Sequence, residues 1–317
     1  MQLRSMTTAY MKRALPLLCL LATMACPIAR AQTPGTQPPS KPSSHIIINR
    51  TLATRFMVDR GNVHIEVIAQ GAGPLIVILP SLGRGAEDYN AVAALLAKDR
   101  FRVLRPQPRG IGASTGPMTG VTLHDLAADI AAVIEQERQG PAIVVGHAYG
   151  NFPARMLATD RPDLVRAVVL AAASAGKTPP GVTEPPVTPE VREAIAKSSD
   201  LSLPEAERLR YLQFAFFAPG HDPSVWLGGW HPATEKMENE ASAATPVDEW
   251  FATGRAPILE IQAQYDAVAQ PKFRPVLKAA LGDRVTVVVI PNAGHALVPE
   301  QPEATANAIA AFTRALR

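Results

Sequence analysis

Cysteine is nearly missing from this chain: of 317 residues only Cys19 and Cys26 carry thiols, and both lie close to the N-terminus. If that segment is removed, as argued below, the mature protein has no thiol, which excludes disulfides, thiolate metal sites and a cysteine nucleophile. Aromatic residues are scarce at 5%, and charged residues reach only 19% beside an apolar fraction of 47%, which suits a packed core and not a solvated disordered chain. No apolar stretch reaches the ~20 residues that cross a bilayer. No run of lysine and arginine forms the basic stripe that nucleic-acid binding requires. Thirty prolines and 21 glycines imply frequent turns and exclude a helical bundle, coiled coil or helical repeat.

The formal charge of +3 misleads. Arg4, Lys12, Arg13 and Arg30 stand in a segment with no acid, and without them 27 basic groups face 28 acidic ones. The same segment, residues 1–31, has the order of a secretory signal peptide: Lys12-Arg13, an apolar stretch from Ala14 to Ala29, and the small-x-small pattern Ala29-Arg30-Ala31 before Gln32. Cleavage there predicts a periplasmic or secreted protein. A lipoprotein box at Thr23-Met24-Ala25-Cys26 is the weaker alternative, because its first position lacks the usual aliphatic residue. Residues 32–44 (QTPGTQPPSKPSS) read as a proline-rich polar linker with nothing to bury.

From His45 onward, short β-rich runs alternate with helical patterns. Strands are expected at Phe56–Val58, Val63–Ile68, Leu75–Leu79, Phe101–Arg105, Ala142–Val145, Val165–Ala171, Ile258–Gln262 and Val285–Ile290. Helices are expected at Glu87–Lys98, Leu123–Glu137, Asn151–Thr159, Lys272–Leu281 and Glu303–Leu316. Nearly uninterrupted aliphatic runs suit parallel strands buried on both faces, and strand–helix alternation predicts an α/β fold with a mostly parallel sheet of eight strands. The first two strands, joined at Asp59-Arg60-Gly61-Asn62, read as an antiparallel hairpin at one edge. Residues 45–175 and 255–317 form this core. Residues 176–254 break the pattern: they open on a proline-rich stretch, continue with helix-like pieces and hold eight of the chain's 17 aromatics. This segment predicts a helical lid after the sixth strand. Trp226, Trp230 and Phe217 are expected to roof an apolar pocket, or to build a minor core for the lid, or to divide between the two roles.

The chemistry-bearing stretch is Ala142–Asn151, AIVVGHAYGN, in which a buried strand runs through Gly146-His147-Ala148-Tyr149-Gly150 into a helix. Strand, G-x-S-x-G, helix is the nucleophile elbow, a tight turn that lifts a serine above a sheet. The spacing is intact here, but the central residue is Ala148. With this stretch the chain resembles the α/β-hydrolase superfamily, in the branch with a helical cap after the sixth strand. Asp266, at the end of Ile261-Gln262-Ala263-Gln264-Tyr265-Asp266, resembles the family's strand-end acid, and Asn292-Ala293-Gly294-His295 its histidine loop. Leu79-Pro80-Ser81-Leu82-Gly83 stands at the oxyanion loop, and Pro108 to Ser114 resembles the family's R-G-x-G-x-S turn.

The resemblance implies roles residue by residue. His295 is the base, Asp266 fixes its tautomer, and the amides of Leu82 and Tyr149 form the oxyanion hole. Ala148 cannot attack, so an acyl-serine mechanism is excluded unless another hydroxyl substitutes. Ser81 and Ser174 are the alternatives, each also readable as a loop hydroxyl bonded to nearby backbone. His147 is expected to pack beneath the turn, His124 to sit at a helix start, and Asp125 and Asp129 to lie on a helix's solvent or N-terminal side. His221 and His231 lack ligand spacing, so no metal or other cofactor is expected. Three readings follow: a His295–Asp266 general base acting on water or on a small, largely apolar substrate, a pseudo-hydrolase that binds such a ligand beneath an aromatic lid, and a structural protein that inherited the fold.

Overall fold

The computed structural model describes residues 52–316; the signal-peptide and linker readings, and the start of the core at residue 45, lie outside the described residues. All eight expected strands are present: β1 Thr54–Arg60, β2 Val63–Gly71, β3 Leu75–Leu79, β4 Arg102–Pro106, β5 Ala142–His147, β6 Val165–Ala171, β7 Ile258–Ala263 and β8 Val285–Ile290. They form one sheet in the order β1-β2-β4-β3-β5-β6-β7-β8. β2 is antiparallel to both β1 and β4, which gives the edge hairpin, and every other pairing is parallel.

Ten helices accompany the sheet among the described residues: α1 Asn90–Lys98, α2 Leu123–Glu137, α3 Asn151–Asp160, α4 Pro189–Ser199, α5 Glu205–Ala215, α6 Pro232–Ala244, α7 Val247–Trp250, α8 Pro275–Leu281, α9 Leu297–Glu300 and α10 Pro302–Ala315. Successive strand residues point to opposite faces, so one sheet supplies two cores. Val77, Val144 and Val168 pack with Ile134 of α2 and Leu157 of α3. Their neighbours Ile76, Ile143 and Val169 pack with Leu96 of α1 and Ile309 of α10.

α2 starts on a capping box: the Thr122 side chain accepts from the Asp125 amide, and the Asp125 carboxylate accepts from the Thr122 amide. Asp125 thus keeps its N-terminal role. Asp129 departs from expectation. It is buried rather than solvent-facing, because its carboxylate receives Arg109 from the turn after β4 (2.6 and 3.0 Å) and Arg60 from β1 (2.7 and 3.0 Å). His124 bridges Asp160 and Glu249, at 2.7 Å to each, and these two carboxylates raise its pKa.

Four helices, α4 to α7, fill the segment between β6 and β7. Four of its aromatics, Phe216, Phe217, Trp226 and Trp230, build a separate minor core with Leu212, closed by Ala296 from beyond β8, while Trp250 and Phe251 join the main core. Trp226 packs edge-on to Phe216, Phe217 and Trp230, with ring centroids 5.5 to 6.4 Å apart. Of the two roles weighed for Trp226, Trp230 and Phe217, the minor core is the one observed, and none of the three borders either cavity described below. Arg84 adds to this packing. Its guanidinium is fully buried, ion-paired to Asp88, and lies 4.9 and 4.7 Å from the Trp226 and Trp230 rings, which hold the indoles together.

Candidate active site

The turn after β5 is tight enough that its glycines are obligatory. A Cβ on Gly146 would sit 2.4 Å from the Gly150 carbonyl oxygen, and one on Gly150 would sit 2.5 Å from that of Leu79. Between them Ala148 has φ +47°, a left-handed conformation that costs an L-residue roughly 1–2 kcal/mol. The Asn151 side-chain amide donates to the Ala148 carbonyl and braces the turn. Residue 148 is therefore held in an elbow, with only a methyl group to present.

The acid and the histidine come from the ends of β7 and β8. Asp266 Oδ1 accepts the amides of Val268 (2.9 Å) and Ala269 (2.7 Å), which fixes the carboxylate in its own turn. His295 Nδ1 lies 3.0 and 3.1 Å from the two carboxylate oxygens, and both side chains are buried. Nδ1–H donating to the carboxylate leaves the Nε2 lone pair as the basic atom. Nε2 has no hydrogen-bond partner among the described residues. The histidine loop is also clamped to the helical insertion. The Ala296 amide donates to the Phe216 carbonyl, and Glu300 receives the amides of Gly294 and Ala218, at 2.6 Å each. Burial raises the Glu300 pKa.

His147 belongs to a different network. The Ser81 amide donates to the Tyr89 hydroxyl (2.8 Å), which donates to His147 Nδ1 (2.8 Å), while His147 Nε2–H donates to the His295 carbonyl (2.9 Å). Both ring nitrogens are engaged by neutral partners. Burial first, and the neighbouring His295 second, push its pKa down to about 3. It is a neutral strut that ties the elbow, the loop after β3 and the histidine loop together, packed as expected. Tyr89 and Glu300 escaped the sequence reading, since nothing in a lone tyrosine or glutamate marks it as a brace.

The loop after β3 carries Leu82, whose amide has no acceptor among the described residues, as an oxyanion donor requires. Neither alternative serine is bonded to His295. The buried Ser81 joins its loop through its own amide and carbonyl, and the Ser174 hydroxyl accepts the Gly176 amide at 3.2 Å. No group of three or more His, Cys, Asp or Glu residues is placed to hold a metal among the described residues. No helix among them is long and apolar enough to cross a membrane.

Two cavities border parts of this region, and neither is lined by Ala148, Leu82 or His295. One of about 430 Å³, including its open part, is bordered by Asp266, Ser174 and Arg274. The other, about 490 Å³ on the same measure, begins at Tyr149 and Gly150 of the elbow. It extends past Leu79 and Pro80 to Met237 and Glu238 of α6. Glu238 is completely buried, and desolvation pushes its pKa up to about 8. Sequence reasoning missed it because α6, PATEKMENEASAA, reads as a polar surface helix.

An eight-stranded, mostly parallel sheet with an acid and a histidine at the ends of β7 and β8 defines the α/β-hydrolase class. The model of the alpha/beta hydrolase family matches residues 76–308, and the chain belongs to that family. Among curated relatives it is 35% identical to a 2-(acetamidomethylene)succinate hydrolase of Mesorhizobium japonicum over 127 residues, 40% of this chain and 43% of that protein. The chain thus matches less than half the length of that relative. With a pyrethroid hydrolase of Sphingobium wenxiniae it shares 29% identity over 76% of this chain and 88% of that one. Among solved structures, an E-2-(acetamidomethylene)succinate hydrolase superposes with a TM-score of 0.65 at 23% identity, covering 83% of this chain and all of the other. An esterase from Exiguobacterium antarcticum gives 0.66 at 18%, covering 82% and 98%. At such identities the two structures show the shared fold.

Proposed function

We propose that this protein is an exported hydrolase-family enzyme that works without a covalent intermediate, using His295 as a general base oriented by Asp266. The observation that carries the reading is the buried pair, with Nδ1 at 3.0 and 3.1 Å from both carboxylate oxygens and Nε2 without a partner among the described residues. Ala148 leaves room where a side-chain oxygen would stand. A water or a substrate hydroxyl there gives up its proton to Nε2, and the amides of Leu82 and Tyr149 receive the negative charge developing on a carbonyl oxygen. General-base catalysis of this kind contributes roughly 10²–10⁴ in rate. The hydrolase names of the relatives support a small carbonyl compound as substrate. The helical insertion acts as the lid of the site, and residues 1–31 direct export.

A panel of nitrophenyl esters of short acids tests the reading, with turnover measured for the wild type, His295→Ala and Ala148→Ser. Wild-type turnover lost in His295→Ala is the expected result. Turnover that survives His295→Ala overturns the base assignment. Activity confined to Ala148→Ser makes the natural protein a binder that retains a relic site.

A further inference from the structure

Of the polar side chains around the 490 Å³ cavity, nearly all are engaged elsewhere. Arg109 donates to both oxygens of Asp129 and to the Pro117 carbonyl, and Arg60 completes that cluster. Gln107 donates to Glu87 and accepts from the Ala86 amide. The Tyr149 hydroxyl donates to the Glu238 backbone carbonyl at 2.7 Å. Glu238 is the exception. Its Oε2 accepts the Gly83 amide at 2.7 Å, and its Oε1 has no partner among the described residues. The other walls are apolar: Ile65, Leu79, Pro80, Ile130 and Met237.

The amide on Oε2 decides where a proton sits. An oxygen that accepts an N–H serves as the carbonyl oxygen of a carboxylic acid, so the proton resides on Oε1, which becomes a donor at the cavity wall. We infer that Glu238 is a specificity-determining hydrogen-bond donor for a neutral, largely apolar molecule that carries a carbonyl-type acceptor and occupies this cavity. A carboxylate of the same shape is excluded, because it would have to shed its water into apolar walls. The inference rests on the reading that the protein takes a small molecule, and it adds which kind and a cavity that meets the elbow at Tyr149 and Gly150 without bordering His295. Burial, with Glu235 on the same helix as the nearest like charge, keeps Glu238 protonated up to about pH 8. The groups facing it from other elements are the Gly83 amide and the Tyr149 ring. Arg109 and Asp129, paired to each other and through Asp129 to Arg60, also border the cavity.

The test is calorimetric binding of two probes of matched shape, 2-acetonaphthone (a neutral ketone) and 2-naphthoate (its anionic counterpart), to the intact protein. At about pH 6.5 the ketone is expected to bind at least roughly tenfold more tightly than the naphthoate, and Glu238→Ala to lose about that factor. Glu238→Gln, whose amide nitrogen still donates, should keep ketone affinity. Raising the pH through about 8 should weaken the ketone on the wild type and leave Glu238→Gln unchanged. Equal affinity for both probes, binding of neither, a flat wild-type pH profile, or a Glu238→Gln variant as weak as Glu238→Ala would each overturn the inference. His295→Ala separates this from the catalytic reading. Ketone binding retained there while turnover also persists contradicts the dyad and leaves the cavity assignment standing.

Discussion

The turn after β5 and the two loops after β7 and β8 hold different things. At the elbow the backbone is fixed by two glycines that no other residue can replace, around a left-handed residue 148 that presents only a methyl group. At the acid and histidine loops the backbone positions polar side chains: Asp266 is held by two amides and His295 is held by Asp266. The contrast teaches that an elbow is a packing solution before it is a catalytic one. Gly150 passes against the end of β3, and Asn151 braces the turn, whatever side chain residue 148 carries. The carboxylate–imidazole pair is buried and hydrogen-bonded through Nδ1, and this geometry is what supports the general-base proposal.

The largest expected effect breaks the contrast from its chemical side. His295→Ala should lower wild-type ester turnover by roughly 10²–10⁴, read as kcat/KM, with Tm showing that the fold persists. Next is the brace that joins the insertion to the loop after β3. Arg84→Ala leaves Asp88 unpaired and empties the space between Trp226 and Trp230, and should cost about 3 kcal/mol in urea unfolding. Gly150→Ala tests the packing side. A Cβ 2.5 Å from the Leu79 carbonyl oxygen should cost about 2–3 kcal/mol by the same measurement.

Two buried titratable groups, His147 and Glu238, give opposite pH slopes. His147 titrates near 3 when folded, so between its ordinary value of about 6.5 and 3 the unfolded chain binds the proton and the native one does not. Stability is lost as pH falls through that window, at up to about 1.4 kcal/mol per pH unit. Glu238 titrates near 8 when folded, so from its ordinary value of about 4.3 upward the native state holds a proton that the unfolded chain has released. Stability is therefore lost as pH rises toward 8, and Glu238→Gln should flatten that limb in urea unfolding measured across the range. The smallest effect sharpens the reading of the elbow. Ala148→Gly, freed of the left-handed penalty, should raise stability by about 0.5–1 kcal/mol.

Much of this was legible in the sequence. All eight strands were, because buried parallel strands such as LIVIL and AIVVGH are written as unbroken apolar runs. The positions of Ala148, Asp266 and His295 were legible because glycine spacing and strand ends mark them. Side chains that act through burial were not. Asp129, Arg84 and Glu238 are charged residues whose neighbours in sequence look solvated, and each is buried by partners 20 to 155 positions away. The aromatics of the insertion were visible as a group, while their division between two cores was not, nor was the packing of Trp226 and Trp230 against Arg84 from a distant loop.

The central claim is turnover without an acyl-enzyme, and intact-protein mass spectrometry of samples quenched during ester turnover tests it most directly. Wild-type protein should turn over while carrying no acyl group, and Ala148→Ser should accumulate one on the introduced serine. An acyl adduct on the wild type, at Ser81, Ser174 or any other hydroxyl, would contradict the account.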